Sequence, residues 1–394
     1  MQSKIKNYEL TVTTLSPLHV GSGDRINKKE YIYQKNENKA YIPDLKNMFS
    51  GLKKLNLLRE YEKYLLGNGG DLFFWLDKEL KIKKETYLPW MDYSIDCGDA
   101  IFEDRSKKEI VTFIKDAFDE LYVPGSTLKG FIRTAIICKM IYDKKSEYQK
   151  YKVQFQNAEF KGRKWYLKEQ MTNIESDVFN RLKRNEKRKS DAVNDIMAAL
   201  RVSDSEPLST KNLVLCQKLD MNKDGIDKPL NIVRECIKPN VDIKFTLSID
   251  TTLIDIKPDY ILKAVKLFYT YYVGLFSSKF NKSNKNYVAN SFYFGGGVGY
   301  VSKTITYPIL TDVVQETKVV NGENKTVKKI LPKKENVKMV SKIIDSTLSP
   351  DGKKQHKHNL DEQLGVSPHM LKCTRYNGAL YEMGLCKMSI KEVN

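Results

Sequence analysis

A strand that runs into a glycine-rich turn, with helices following, constrains this chain's fold more than any other feature. Residues 7–20 place Leu10 and Val12 on one side of a β-prone stretch, the period-two pattern of a half-buried strand. Gly21, Ser22 and Gly23 break it. Two short extended stretches follow, EYIYQ and KAYIP. Asp44 is then placed to cap a helix that is expected to reach about residue 65, with Leu45, Met48, Phe49, Leu52, Leu55 and Leu58 at helical spacing. Pro124 and Gly125 introduce another helix, expected to end at about residue 142. Strand–helix–strand–helix order of this kind predicts an α+β fold with helices on one face of an antiparallel sheet.

A similar order recurs from residue 205. Leu213 to Leu219 and Val241 to Ile249 read as strands, and Pro258 suits the first turn of a helix reaching Phe280. The expected architecture is two ferredoxin-like units, 1–142 and 205–394. Between them lies a basic insertion, 143–204, helical and projecting from the core. Residues 316–338 are rich in lysine and poor in apolar side chains, which reads as a surface hairpin or a mobile loop, with Asn321-Gly322 as its turn. ALYEMGLCKMSI, residues 379–390, is expected to close the fold as one strand.

The 394 residues carry 67 Lys+Arg against 49 Asp+Glu, a net charge of +18. An excess of that size points to a polyanionic partner, with nucleic acid the first candidate. The 23 tyrosines supply either stacking faces for unpaired bases or core and sheet packing. Six cysteines form no CxxC pair and match neither a zinc ribbon nor a disulfide framework, so reduced, buried thiols are expected. The opening residues are polar and basic, and no apolar run is long enough to span a bilayer. A cytoplasmic location without a membrane partner is the expectation.

Three glycine segments are the candidates for chemistry. In VPGSTLKGFIRTA (123–135), Ser126 or Thr127 can cap the helix, and Lys129 and Arg133 lie four apart on one face. Free helix N–H groups beside two cations make a phosphate cradle, or else an ordinary cap with two solvated cations. PLHVGSGD (17–24) places His19 before Gly21, Ser22 and Gly23. This histidine is a general base, a base-contacting side chain or a structural one. FYFGGGVGY (292–300) holds Gly295, Gly296, Gly297 and Gly299. A helix is expected before it and β-prone residues after it, the reverse of a dinucleotide fingerprint. Such a loop still offers N–H groups to phosphate, with Tyr293, Phe294 and Tyr300 beside it for stacking. His356, His358, His369 and Asp361 match no zinc spacing, so neither metal nor cofactor is expected. No HExxH, Walker or GxSxG motif is present.

In this order, the three glycine segments resemble the landmarks of the RAMP proteins of CRISPR systems. The tail GVSPHMLKCTRYNGALYEMGLCKM is similar to that of the fifth subunits of type III-A Csm effector complexes. The likeness covers most of the chain but not residues 143–200 or 316–338. It implies a RAMP (RRM-like, ferredoxin-like) fold and a non-catalytic subunit of an antiviral ribonucleoprotein. Such a subunit caps the crRNA 3′ end beside the last backbone RAMP subunit and assists 3′ maturation by recruiting host nucleases. Target RNA is a further partner. His19, Gly21, Ser22, Gly23, Gly125, Ser126, Thr127, Lys129, Arg133, Gly295, Gly296, Gly297 and Gly299 are then expected to contact RNA, mostly its backbone. Backbone subunits of these complexes cut target RNA with an aspartate after the first strand; here Glu30 is the nearest carboxylate, which argues against cutting. The alternative is a metal-independent, crRNA-processing endoribonuclease that uses His19.

Overall fold

The computed structural model describes residues 5–68, 70–100, 108–159, 167–281, 288–320 and 323–393. Its first strand, Ile5–Thr14, buries Tyr8, Leu10 and Val12 in strict alternation, as the sequence pattern requires. It lies at the centre of a five-stranded antiparallel sheet in the order Ser291–Tyr293, Leu385–Glu392, Ile5–Thr14, Asp242–Asp250, Leu200–Val202. Leu10 stands opposite Phe245 on one side and Ile390 on the other. Helices Gly125–Asp143 and Pro258–Leu275 pack against each other and against this sheet. Phe131 lies 4.5 Å from the Phe292 ring and 6.1 Å from Phe268. Chain order and sheet order together trace a ferredoxin-like βαββαβ path.

A second sheet is built from segments inserted into that path. Its order is Gly21–Ile26, Glu109–Phe113, Asp227–Ile237, Leu213–Met221, Met91–Asp96, Lys39–Pro43, Ile32–Gln34. Leu371–Tyr376 also pairs with Leu213–Met221 and carries Ala379–Glu382 beside it. Both sheets thus take strands from both sides of the 143–204 insertion, because long-range pairing sets the sheets while local pattern sets only the strands.

Several local expectations hold, and others shift for identifiable reasons. Asp44 does cap its helix, accepting from Asn47 N at 2.9 Å. The helix stops at Lys54, where Asn56 turns left-handed (φ +57°), and resumes at Leu58–Leu66. Met48 and Leu52 join Tyr61, Tyr64, Trp75 and Trp90 in a satellite core. Gly51 permits this packing, because a Cβ there would lie 2.1 Å from the Trp90 ring. The insertion is helical over Lys145–Gln156 and Lys168–Phe179 but does not project. Tyr148, Tyr151, Phe155, Ile174, Val178 and Phe179 are buried in the main core; the high charge had masked an apolar stripe. The lysine-rich stretch forms the hairpin Asp312–Val320 and Glu323–Leu331, with the expected Asn321-Gly322 turn outside the described residues. ALYEMGLCKMSI splits at Gly384 (φ +71°) into strands of different sheets. All six cysteines are buried and free. Among the described residues no helix is long and apolar enough to cross a membrane.

Candidate nucleic-acid interface

The three glycine segments converge at one end of the five-stranded sheet. The first and third touch: Gly296 N donates to the His19 carbonyl at 2.6 Å. Gly295 (φ +85°) has no room for a side chain, since a Cβ would lie 2.4 Å from that same carbonyl. Gly384 ties the third strand end into the junction. Its N–H donates to Pro17 O (2.9 Å) and its carbonyl accepts from Phe294 N (2.8 Å). The second and third segments face each other across a cavity of about 220 Å³ lined by Thr127, Gly130, Phe131 and Thr134 on one side and Gly295, Val298, Ser302 and Lys303 on the other. The glycine loop is preceded by strand Ser291–Tyr293 and followed by short helical turns, Val301–Lys303 and Thr306–Leu310. This reverses the expected helix-before, strand-after order, because Thr306–Leu310 is fully buried and its apolar run carried no periodicity. The Rossmann reading still fails, since Ser291–Tyr293 pairs antiparallel to its neighbour.

His19 is part of the scaffold of this junction. It is 4% exposed. Its Nδ1–H donates to the Glu235 carbonyl at 2.7 Å, and its ring packs against Phe113, with Gly21 and Gly296 leaving no space for a Cβ. Burial, opposed by the bond to Glu235, lowers its pKa to about 4. That is a weak base, shut away from solvent. Glu235 is itself fully buried, accepting from Tyr93 Oη (2.5 Å) and Phe113 N (2.8 Å). Gly21, Ser22 and Gly23 lie exposed in the edge strand Gly21–Ile26. Ser22 Oγ is 2.6 Å from Thr112 Oγ1 and accepts from Asp24 N. Glu30 closes its own turn, accepting from Asn27 N at 2.8 Å.

The helix start differs from the expected cradle. The N-cap is Pro124, without a side-chain cap, so Ser126 and Thr127 lie exposed inside the first turn. Gly125 N donates to Asp204 Oδ1 (2.8 Å), and a Cβ on Gly125 would lie 2.1 Å from Ser203 O. This glycine therefore seats the helix on strand Leu200–Val202. Arg133 binds Asp195 Oδ2 (2.6 Å) and Glu175 Oε2 (3.1 Å) and lies 4.1 Å over the Phe179 ring. It fastens the insertion to the helix. Lys129 is half-buried beside it, its pKa lowered by burial.

A different set of cations surrounds the glycine loop. The Arg234 guanidinium would lie 3.3 Å from a Cβ on Gly297, and Lys372 Cγ 3.5 Å from one on Gly299. Lys372 is paired with Asp220 (2.8 Å). Arg234, Lys218 and Lys303 make no ion pair among the described residues. Burial holds the pKa of Arg234 and Lys218 below the ordinary values; Lys303 is lowered too, by the protein packed round its amine and then by the Arg234 charge. Tyr293 and Phe294, expected to stack on bases, are buried. Tyr293 lies 4.3 Å from Tyr272 in the core, and Tyr300 Oη bonds Thr306 Oγ1. Among the described residues thirteen tyrosines are buried, so tyrosine content here reflects packing first.

The profile of the RAMP superfamily matches residues 11–302. The chain belongs to the RAMP superfamily. Its curated relatives include the "CRISPR system Cms protein Csm5" of Mycobacterium tuberculosis, 25% identical over 419 residues and 99% of each chain. The Streptococcus thermophilus protein of the same name is 28% identical over 328 residues, 77% of this chain and 82% of that one. The fold is shared with a chain of a solved Csm–crRNA–target RNA ternary complex of a type III-A system (TM-score 0.61, 18% identity, 97% and 100% covered). It is also shared with T. onnurineus Csm5 (TM-score 0.52, 22% identity, 67% and 80% covered).

In this RAMP protein the three glycine motifs come together, but the cations named with them are only partly those beside the 295–299 loop. Arg234 gave no sequence signal, being one charge within a strand. Lys303 did give one: a cation four residues past a glycine-rich loop. The C-terminal histidines matched no metal spacing, yet His358, Asp361 and His369 come together, with ligand atoms within 4.8 Å of one another.

Proposed function

We propose that this RAMP protein is a non-catalytic, RNA-binding subunit of a CRISPR Csm ribonucleoprotein. It holds the crRNA near its 3′ end, with the RNA backbone lying at the junction of the 17–24 and 295–299 loops. One observation carries this reading: Arg234 and Lys303 stand together beside the glycine loop with no ion pair among the described residues, and Asp220, the carboxylate whose charge reaches Arg234 and Lys218, is already paired with Lys372. Phosphate supplies the missing charge, and counterion release favours its binding. Contacts of this kind read no base, which suits a subunit that must accept any spacer sequence. Similarity to Csm5 proteins and the fold shared with a chain of a Csm–crRNA–target RNA complex support it. An adjacent backbone subunit, target RNA and host nucleases that trim the 3′ end are the partners this reading assigns.

His19, buried and weakly basic, favours this reading over the endoribonuclease. The test is nuclease footprinting of the complex assembled with and without this chain. Protection of the crRNA 3′ end should vanish when the chain is omitted. A footprint lost only elsewhere along the crRNA would sink the 3′ assignment. Metal-free cleavage of precursor RNA that disappears in His19→Ala would establish the enzyme instead.

A further inference from the structure

The Asp361 carboxylate is fully buried. Oδ2 accepts from His358 Nδ1 at 3.0 Å and from Ser367 Oγ at 2.6 Å, and Oδ1 lies 2.5 Å from His369 Nδ1. The side chains of His358 and His369 are 9% and 17% exposed. No lysine or arginine is among the hydrogen-bond or ion-pair partners of Asp361. A buried carboxylate without a full counter-charge is costly.

We propose that His358, Asp361 and His369 bind one divalent transition-metal ion of the zinc class. Two imidazole nitrogens and one carboxylate oxygen suit that class, whereas calcium and magnesium favour all-oxygen sets. Metal–ligand distances of about 2.1 Å put tetrahedral ligand atoms about 3.4 Å apart, and the three ligand atoms here already lie within 4.8 Å of one another. On binding, each neutral imidazole shifts its proton from Nδ1, where it now faces Asp361, to Nε2 and ligates through the freed Nδ1 lone pair. Any imidazolium releases a proton on binding. His356, its ring stacked 5.8 Å from that of His358, is a further imidazole close by. The bound ion pins the 358–369 loop, which leads directly into strand Leu371–Tyr376 of the second sheet. This site is independent of the RNA reading.

The test uses tag-free, full-length chain stripped with chelator, then titrated with Zn²⁺ and with Co²⁺. About one equivalent should bind, the melting temperature should rise, and Co²⁺ should give visible d–d absorption. His369→Gln, on the more exposed side, should retain the wild-type far-UV circular dichroism and lose affinity at least about tenfold. Binding well below one equivalent, or wild-type affinity in His369→Gln or His358→Gln, would overturn the proposal. If His358→Gln does not fold, His369→Gln alone decides.

Discussion

Two basic regions of this protein look alike in sequence and differ in the fold. At the start of helix Gly125–Asp143, Arg133 already has two carboxylates, Asp195 and Glu175. Near the 295–299 loop, Arg234 and Lys303 make no ion pair among the described residues, and Asp220, whose charge reaches Arg234, is already bound to Lys372. A cation is available to a polyanion only where the fold has not already neutralised it. Net charge of +18 announces a polyanionic partner, but it cannot say which of 67 basic side chains meets it.

The widest gap between the two regions should appear in RNA affinity. Arg234→Gln with Lys303→Gln removes two charge-assisted contacts at about 2 kcal/mol each, a loss of about 10³-fold. The log–log salt dependence for single-stranded RNA should flatten by about 1.4, at about 0.7 per phosphate contact. Fluorescence anisotropy across a salt series reads both. An unchanged slope would move the RNA away from this loop.

Acid should break the same junction from within. His19 has its folded pKa lowered from 6.5 to about 4, so protonation favours the unfolded chain. The stability this contributes is fully present above pH 6.5 and is lost as pH falls toward 4. The difference of about 2.5 units corresponds to about 3 kcal/mol. Urea unfolding at pH 7 and pH 4.5 should show most of that loss. In His19→Gln the pH-dependent part should shrink by the same amount.

What was legible in the sequence follows the range of each signal. The first strand, the Asp44 cap and the Pro258 helix are set by neighbours a few residues away, and each is present, although the strand ends at Thr14 rather than at the Gly21–Gly23 stretch, itself part of the next strand, and the helix ends at Leu275 rather than Phe280. The α+β class and the three glycine landmarks were legible for the same reason. Arg133 was not, because its partners lie 42 and 62 residues downstream. Nor was the His358–Asp361–His369 cluster, since the loop that returns His369 to Asp361 is fixed by tertiary packing. Tyr293 and Phe294 were misleading: an aromatic beside a glycine loop looks the same in sequence whether it faces RNA or the core.

The helix start should answer in stability where the loop answers in binding. Arg133→Ala removes two charged hydrogen bonds and the Phe179 contact, and leaves Asp195 and Glu175 unpaired. About 2 kcal/mol of unfolding free energy should be lost, while RNA affinity changes less than about threefold. A loss of RNA affinity comparable to that of the Arg234/Lys303 pair would erase the distinction between the two regions.

The smallest effect belongs to Ser126. A serine that caps a helix contributes about 1 kcal/mol through its bond to a free N–H. Here the cap position is Pro124, Gly125 N is taken by Asp204, and Ser126 lies exposed within the first turn. Ser126→Ala should therefore change unfolding free energy by less than about 0.5 kcal/mol. Asp204→Ala, which strips the partner from Gly125 N and the negative charge from the helix start, should cost more. If Ser126→Ala proves the more damaging of the two, the hydroxyl is capping after all, and the helix start regains the free Gly125 N–H that a phosphate cradle requires.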